Sequence, residues 1–148
     1  MNIIVNWSTK KITFWLLILS FVGFGVGYIL TNSIQFNICT VSETITEASC
    51  INFYERVGDP LFYGMPALAF VFFILIFTQQ AFSAWKKFAI WFIPLATLLF
   101  IFYPDPSPGD YFSPYPEQIF KWVSITYVVI SIFIIALKTV KQKSKKVA

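Results

Sequence analysis

Residues 12–30, "ITFWLLILSFVGFGVGYIL", form a charge-free stretch that follows directly on Lys10 and Lys11. A helix needs about 20 residues to cross roughly 30 Å of hydrocarbon. The apolar side chains run around every side of this segment instead of forming one stripe, as a lipid-facing helix requires. The stretch therefore reads as a membrane-spanning helix. Its apolar core is longer than that of a signal peptide, and "YILTNS" (28–33) offers no small-residue cleavage site, so the segment is expected to remain in the protein.

The same signal recurs along the chain. No charged side chain occurs between Lys11 and Glu43, Asp59 and Lys86, Lys87 and Asp105, or Lys121 and Lys138. Only 12% of the residues are charged and 57% are hydrophobic, whereas a soluble domain carries about a quarter charged residues. The expected fold is all-α: one four-span membrane domain over residues 1–148, arranged as a four-helix bundle. Spans are expected near 12–30, 61–84, 88–103 and 122–137, with external loops at 31–60 and 104–121 and a basic tail at 138–148. The last two spans have only 17 and 16 residues between their bounding charges, short enough to call for snorkelling lysines or a locally thinned bilayer.

Charge sorting gives the orientation. Lys10, Lys11, Lys86, Lys87, Lys138, Lys141, Lys143, Lys145 and Lys146 fall on one side of this topology, and only Arg56 and Lys121 on the other. The positive-inside rule then places both termini in the cytoplasm. All seven carboxylates lie on the opposite side. Trp7, Trp15 and Trp85 are expected at the inner interface, with most tyrosines and Trp122 toward the outer one. Abundant Ile, Phe and Lys point to an AT-rich bacterial genome, hence to a multi-pass protein of a bacterial inner membrane.

The spans carry no ionisable acid or base and the chain has no histidine. Proton relays and ion pumps place such groups in the bilayer, so those functions are disfavoured. Ser124, Tyr127 and Ser131 share one face of the fourth span at i, i+3 and i+7. Interhelical hydrogen bonding or close packing is the plainer reading of that face, and a polar permeation path the sharper one. In "GFGVG", Gly23 and Gly27 form a G-x-x-x-G pair suited to close helix packing; its partner is span 2, span 4 or a second copy. Pro66 is expected in the first turns of span 2, and Pro94 should kink span 3.

In the first external loop, "TITE" (44–47) fits a capping box and Gly58 suits a helix end, which predicts a short separate helix. Cys50, Phe53, Tyr54 and Val57 would share its face and rest on the bundle or in the interface. The second loop holds Pro104, Pro106, Pro108, Pro114 and Pro116; "SPGD" (107–110) suits a tight turn and "PYPE" (114–117) a helix start. Tyr54, Asp105, Asp110, Tyr111, Phe112 and Tyr115 are the candidate partner contacts on these loops.

Cys39 and Cys50 are the only cysteines. Outside the cytoplasm an even pair is expected to oxidise, so they read as a structural disulfide. Two thiols without histidine fall short of a zinc site, and no metal or cofactor is expected. Four-span disulfide-generating enzymes and the vitamin K epoxide reductases share the span count, but their quinone-linked C-x-x-C pair is missing from this chain. Lys138, Lys141, Lys143, Lys145 and Lys146 read as an anchor on anionic lipid, not as a nucleic-acid site. The resulting expectation is a non-catalytic accessory or scaffold protein, with the lipid bilayer, a protein partner or its own copies as partners. A small oligomeric channel is the alternative, and a membrane thiol–disulfide oxidoreductase a second one.

Overall fold

The computed structural model describes residues 2–39, 45–103 and 115–147. These form four long helices, α1 (Asn2–Thr31), α2 (Ile45–Phe77), α3 (Phe82–Phe102) and α4 (Pro116–Val147), with a 3-10 turn at Gln79–Ala81 between α2 and α3. They supply four stretches long and apolar enough to cross a membrane: Thr9–Thr31, Ser49–Phe77, Gln79–Phe102 (α3 with the preceding turn) and Pro116–Gln142. At about 1.5 Å per residue, α2 and α4 approach 50 Å and exceed any hydrocarbon core. The last two charge-free stretches stay short, but their helices are longer. α3 begins before Lys86 and Lys87, and α4 runs past both Lys121 and Lys138, so a span of full length includes lysines that must snorkel. Lys86 and Lys87 lie inside the second turn of α3, and the basic tail continues α4. Lysine and glutamine are good helix formers, and cations near a helix C-terminus are favoured by its dipole.

Three expected boundaries move. Gly58 does not end a separate loop helix: α2 runs unbroken from Ile45 through Gly58, Pro60 and Pro66. Pro66 is consequently mid-helix and leaves the Phe62 carbonyl without its usual donor. Span 2 also stops at Phe77, short of residue 84, because the chain turns at Thr78 into the 3-10 turn. Thr78 spends its hydroxyl on the Ile74 carbonyl.

α1 packs along α2, while α4 lies against both α2 and α3, which touch each other only sparsely. The core gathers Val71, Phe72 and Leu75 of α2, Trp85 and Ala89 of α3, and Tyr127 and Ile135 of α4, with Ala81 of the turn. Trp85 was expected in an interfacial belt, yet it is buried edge-on to Phe72 at 5.3 Å between ring centroids. Its position beside two lysines marks the interface by sequence; its rotation about α3 turns the indole inward.

Glycines set the α1–α2 contact. A Cβ on Gly27 would stand 2.6 Å from the Phe62 amide nitrogen, and one on Gly23 3.0 Å from the Met65 side chain. Across the pair, a Cβ on Gly58 would meet the Thr31 nitrogen at 2.7 Å. The neighbour of the G-x-x-x-G face is therefore span 2 of the same chain. Gly58 serves close approach between helices instead of helix termination.

Candidate functional site

The end of the bundle away from the termini carries a tied cap. After α1, Asn32–Cys39 folds back on itself: Ile38 N–H and Cys39 N–H both donate to the Ser33 carbonyl at 2.9 and 3.3 Å. Asn37 takes φ 54°, a left-handed conformation that asparagine tolerates better than most residues. This turn delivers Cys39 to Cys50 on α2, and the two form a disulfide with Cα atoms 6.2 Å apart. Below it, the Thr31 hydroxyl donates to Asp59 Oδ1 at 3.2 Å. Tyr28 lies edge-on to Phe36 of the turn, 6.0 Å between centroids, and Phe24 stacks on Phe62 at 5.4 Å. The turn is thus held to α2 by a covalent bond and to α1 by an aromatic contact.

The face expected to turn inward from the loop helix divides. Cys50 and Tyr54 are partly buried, but Phe53 is 64% exposed and Val57 is also exposed. On the turn, Ile34, Phe36 and Ile38 are exposed as well. The cap therefore presents apolar side chains outward from a tied scaffold. Among the other candidate contacts, Tyr115 is exposed immediately before α4, and its carbonyl accepts the Gln118 N–H at 2.9 Å. Asp105, Asp110, Tyr111 and Phe112 lie outside the described residues, as do Thr44 of the expected capping box and the "SPGD" turn. Pro116 begins α4 as expected, with Glu117 in its first turn.

The same end is bridged between α2 and α4. Tyr63 donates its hydroxyl to Glu117 Oε2 at 3.5 Å, and Lys121 Nζ lies 3.8 Å from that carboxylate and 5.1 Å from the Tyr63 ring centroid. Exposed ion pairs of this kind contribute little, roughly 0–1 kcal/mol; their effect is to orient the helix ends.

Below the bridge, α2, α3 and α4 enclose an apolar recess of about 410 Å³. Its wall includes Gly64, Leu68, Phe92, Phe100 and Tyr127, with Arg56 at the cap end. Ser124 and Tyr127 of the polar face read from the sequence line it, and Ser131 lies about one to two turns further along α4. Tyr127 and Ser131 are buried, and the Tyr127 ring packs against Phe88 and Phe92. Thr13, Ser20, Thr78, Thr97 and Thr139 return their hydroxyls to the carbonyl four residues back. Ser124 and Ser131 do not: both hydroxyls are buried without a hydrogen bond of good geometry, as are Trp85 Nε1 and the Tyr127 hydroxyl, although Trp85 and Ser131 stand beside that hydroxyl. Trp85 was not legible as a member of this cluster, since only its register with Tyr127 brings it there.

At the opposite end, Lys138 and Lys141 are exposed on α4, and Lys143, Lys145 and Lys146 follow on the same helix. Among the described residues no group of three or more metal-ligating side chains comes together. No protein-family profile, curated protein or solved structure matches the chain.

Proposed function

We propose that the protein is a non-catalytic accessory or scaffold protein of a bacterial inner membrane that recognises a protein partner through its external cap. Its lysine-bearing end, with both termini, faces the cytoplasm, and the cap faces outward. The orientation rests on nine of eleven basic residues lying at one end. The observation that carries the function is the cap itself: Ile34, Phe36, Ile38 and Phe53 are exposed on a scaffold tied by Cys39–Cys50. Apolar and aromatic side chains held on a tied scaffold suit protein recognition, since little ordering entropy is then lost on binding.

The other readings have less support. Ser124, Tyr127 and Ser131 turn into the single chain, which leaves them poorly placed to line a pore between copies. Cys39 is only 4% exposed and Cys50 is partly buried, which restricts attack by an external thiolate to the Cys50 sulfur.

A photo-crosslinking amino acid placed at Phe36 or Phe53 in cells tests the reading. A discrete protein adduct is expected at both, and only lipid adducts at Trp91, which is 81% exposed on the apolar surface of α3. If Phe36 and Phe53 behave like Trp91, the cap is a membrane-resting surface and the accessory reading falls.

A further inference from the structure

At the end bearing the termini, a second recess of about 430 Å³ opens beneath the last turn of α2. Lys10 of α1, Thr78, Gln79 and Gln80 of the connecting turn, and Thr139 of α4 line it, with Phe77 at its apolar edge. These residues supply one cation and two side-chain amides in a small space. The hydroxyls of Thr78 and Thr139 already donate to helix carbonyls, so the available donors are Lys10 and the glutamines. Gln79 spends one amide hydrogen on the Ile76 carbonyl at 3.3 Å and retains the other.

Among the described residues no side-chain carboxylate competes for that cation from the surrounding elements. α1 and α3 contain none. Asp59, the last acidic residue of α2, lies about 26 Å along the helix from Ile76, and Glu117 lies about 33 Å along α4 from Thr139. Lys138 and Lys141 on the same end of α4 add further positive charge. The recess is therefore complementary to an anion.

An apolar groove continues from its edge. Phe77 touches Phe73, with ring centroids 5.3 Å apart. Phe73 belongs to a groove of about 320 Å³ between α1 and α2, bounded by Leu17, Phe21 and Phe24 on one side and by Pro66 and Phe70 on the other. On α1, Lys10, Leu17, Phe21 and Phe24 follow at intervals of seven, four and three, which keeps them on one side of the helix. A polar, cationic recess thus gives way, through one aromatic pair, to a hydrocarbon-lined groove running toward the middle of the bundle.

We infer that the recess and groove together bind one anionic phospholipid. Its phosphate sits among Lys10, Gln79 and Gln80, and one acyl chain passes Phe77 and Phe73 into the α1–α2 groove. Basic pockets between helices at a membrane surface recognise anionic head groups in this way. A free phosphate shares the head-group chemistry but makes no use of the groove. The observations favour the lipid, because cation and hydrocarbon surface are joined in the order in which a phospholipid presents them. The site is separate from the cap and does not depend on which side of the membrane it faces.

The test uses the full chain in vesicles of phosphatidylcholine with one fifth phosphatidylglycerol in both leaflets, followed by native mass spectrometry of the extracted protein. One phosphatidylglycerol is expected to be retained in preference to phosphatidylcholine. Lys10→Gln should lower that retention about fivefold, the effect of one lysine near the head groups, with an unchanged melting temperature. Replacing Lys143, Lys145 and Lys146 with glutamine should leave it in place. Equal retention of the two lipids would overturn the site. So would a loss caused by the tail variant and not by Lys10→Gln, which would assign the effect to diffuse tail charge. Displacement of the lipid by inorganic phosphate at equal concentration would assign the recess to a free anion and overturn the lipid assignment.

Discussion

Gly27 faces Phe62 so closely that a Cβ on the glycine would stand 2.6 Å from the Phe62 amide nitrogen. The obstacle is backbone, which cannot swing aside as a side chain can. Gly27→Val should therefore separate α1 from α2 and cost at least the 1–3 kcal/mol typical of overpacking. Gly25, where an added Cβ meets nothing within 4 Å, provides the contrast: Gly25→Ala should be neutral or stabilise by up to about 1 kcal/mol through helix propensity. Thermal unfolding in one detergent would compare the two, and equal behaviour would refute the asymmetry.

The Cys39–Cys50 bond closes a short loop between elements already held by hydrogen bonds and ring contacts. Its removal in a Cys39→Ser, Cys50→Ser double variant should lower stability by roughly 2–3 kcal/mol on the chain-entropy account. The loss should appear locally, as faster amide exchange over residues 32–39, while the membrane helices keep their protection. Unchanged exchange in that turn would show that the noncovalent contacts alone hold the cap.

Tyr127 separates the value of a ring from that of a hydroxyl. Its ring packs on Phe88 and Phe92, and its buried hydroxyl stands beside Trp85 and Ser131 without a hydrogen bond of good geometry. Tyr127→Phe should change stability by less than about 1 kcal/mol, since at most a poorly formed hydrogen bond is lost with the hydroxyl. Tyr127→Ala should cost about 3–5 kcal/mol through the cavity it leaves. A large loss in the phenylalanine variant would mean that the hydroxyl is bonded in the membrane.

Gly64 lines the recess among α2, α3 and α4, and a Cβ there meets no atom within 4 Å. Gly64→Leu should be accommodated and should raise the melting temperature, by filling space and by favouring helix over glycine. A lowered melting temperature would show that the recess closes in the membrane.

The four charge-free stretches made the number of long helices legible, because burying charge in hydrocarbon is expensive whatever the packing. Boundaries were less legible for a physical reason. Gly58 and Pro60 have the composition of a helix end, but tertiary contact with Thr31 gives Gly58 another use, and helix α2 continues through both. Likewise, Trp85 beside Lys86 and Lys87 has the composition of an interfacial belt, and only packing against Phe72 and Tyr127 places it in the core. The i, i+3, i+7 polar face of α4 was visible from spacing, since one helix fixes it. The cation-lined recess was not, because Lys10, Gln79 and Thr139 come from three separate parts of the chain.

Composition and charge order by themselves determined an all-helical chain with four apolar segments and nine of its ten lysines gathered at one end. Those properties follow from the free energy of transferring side chains into hydrocarbon, which each segment obeys alone. Tertiary structure decided that Gly23 and Gly27 meet α2, that Cys39 reaches Cys50, and that the hydroxyls of α4 turn inward. It also placed Lys10 beside Gln79 above a groove of phenylalanines. These depend on the relative rotation and approach of helices, which local hydropathy leaves free and side-chain packing fixes.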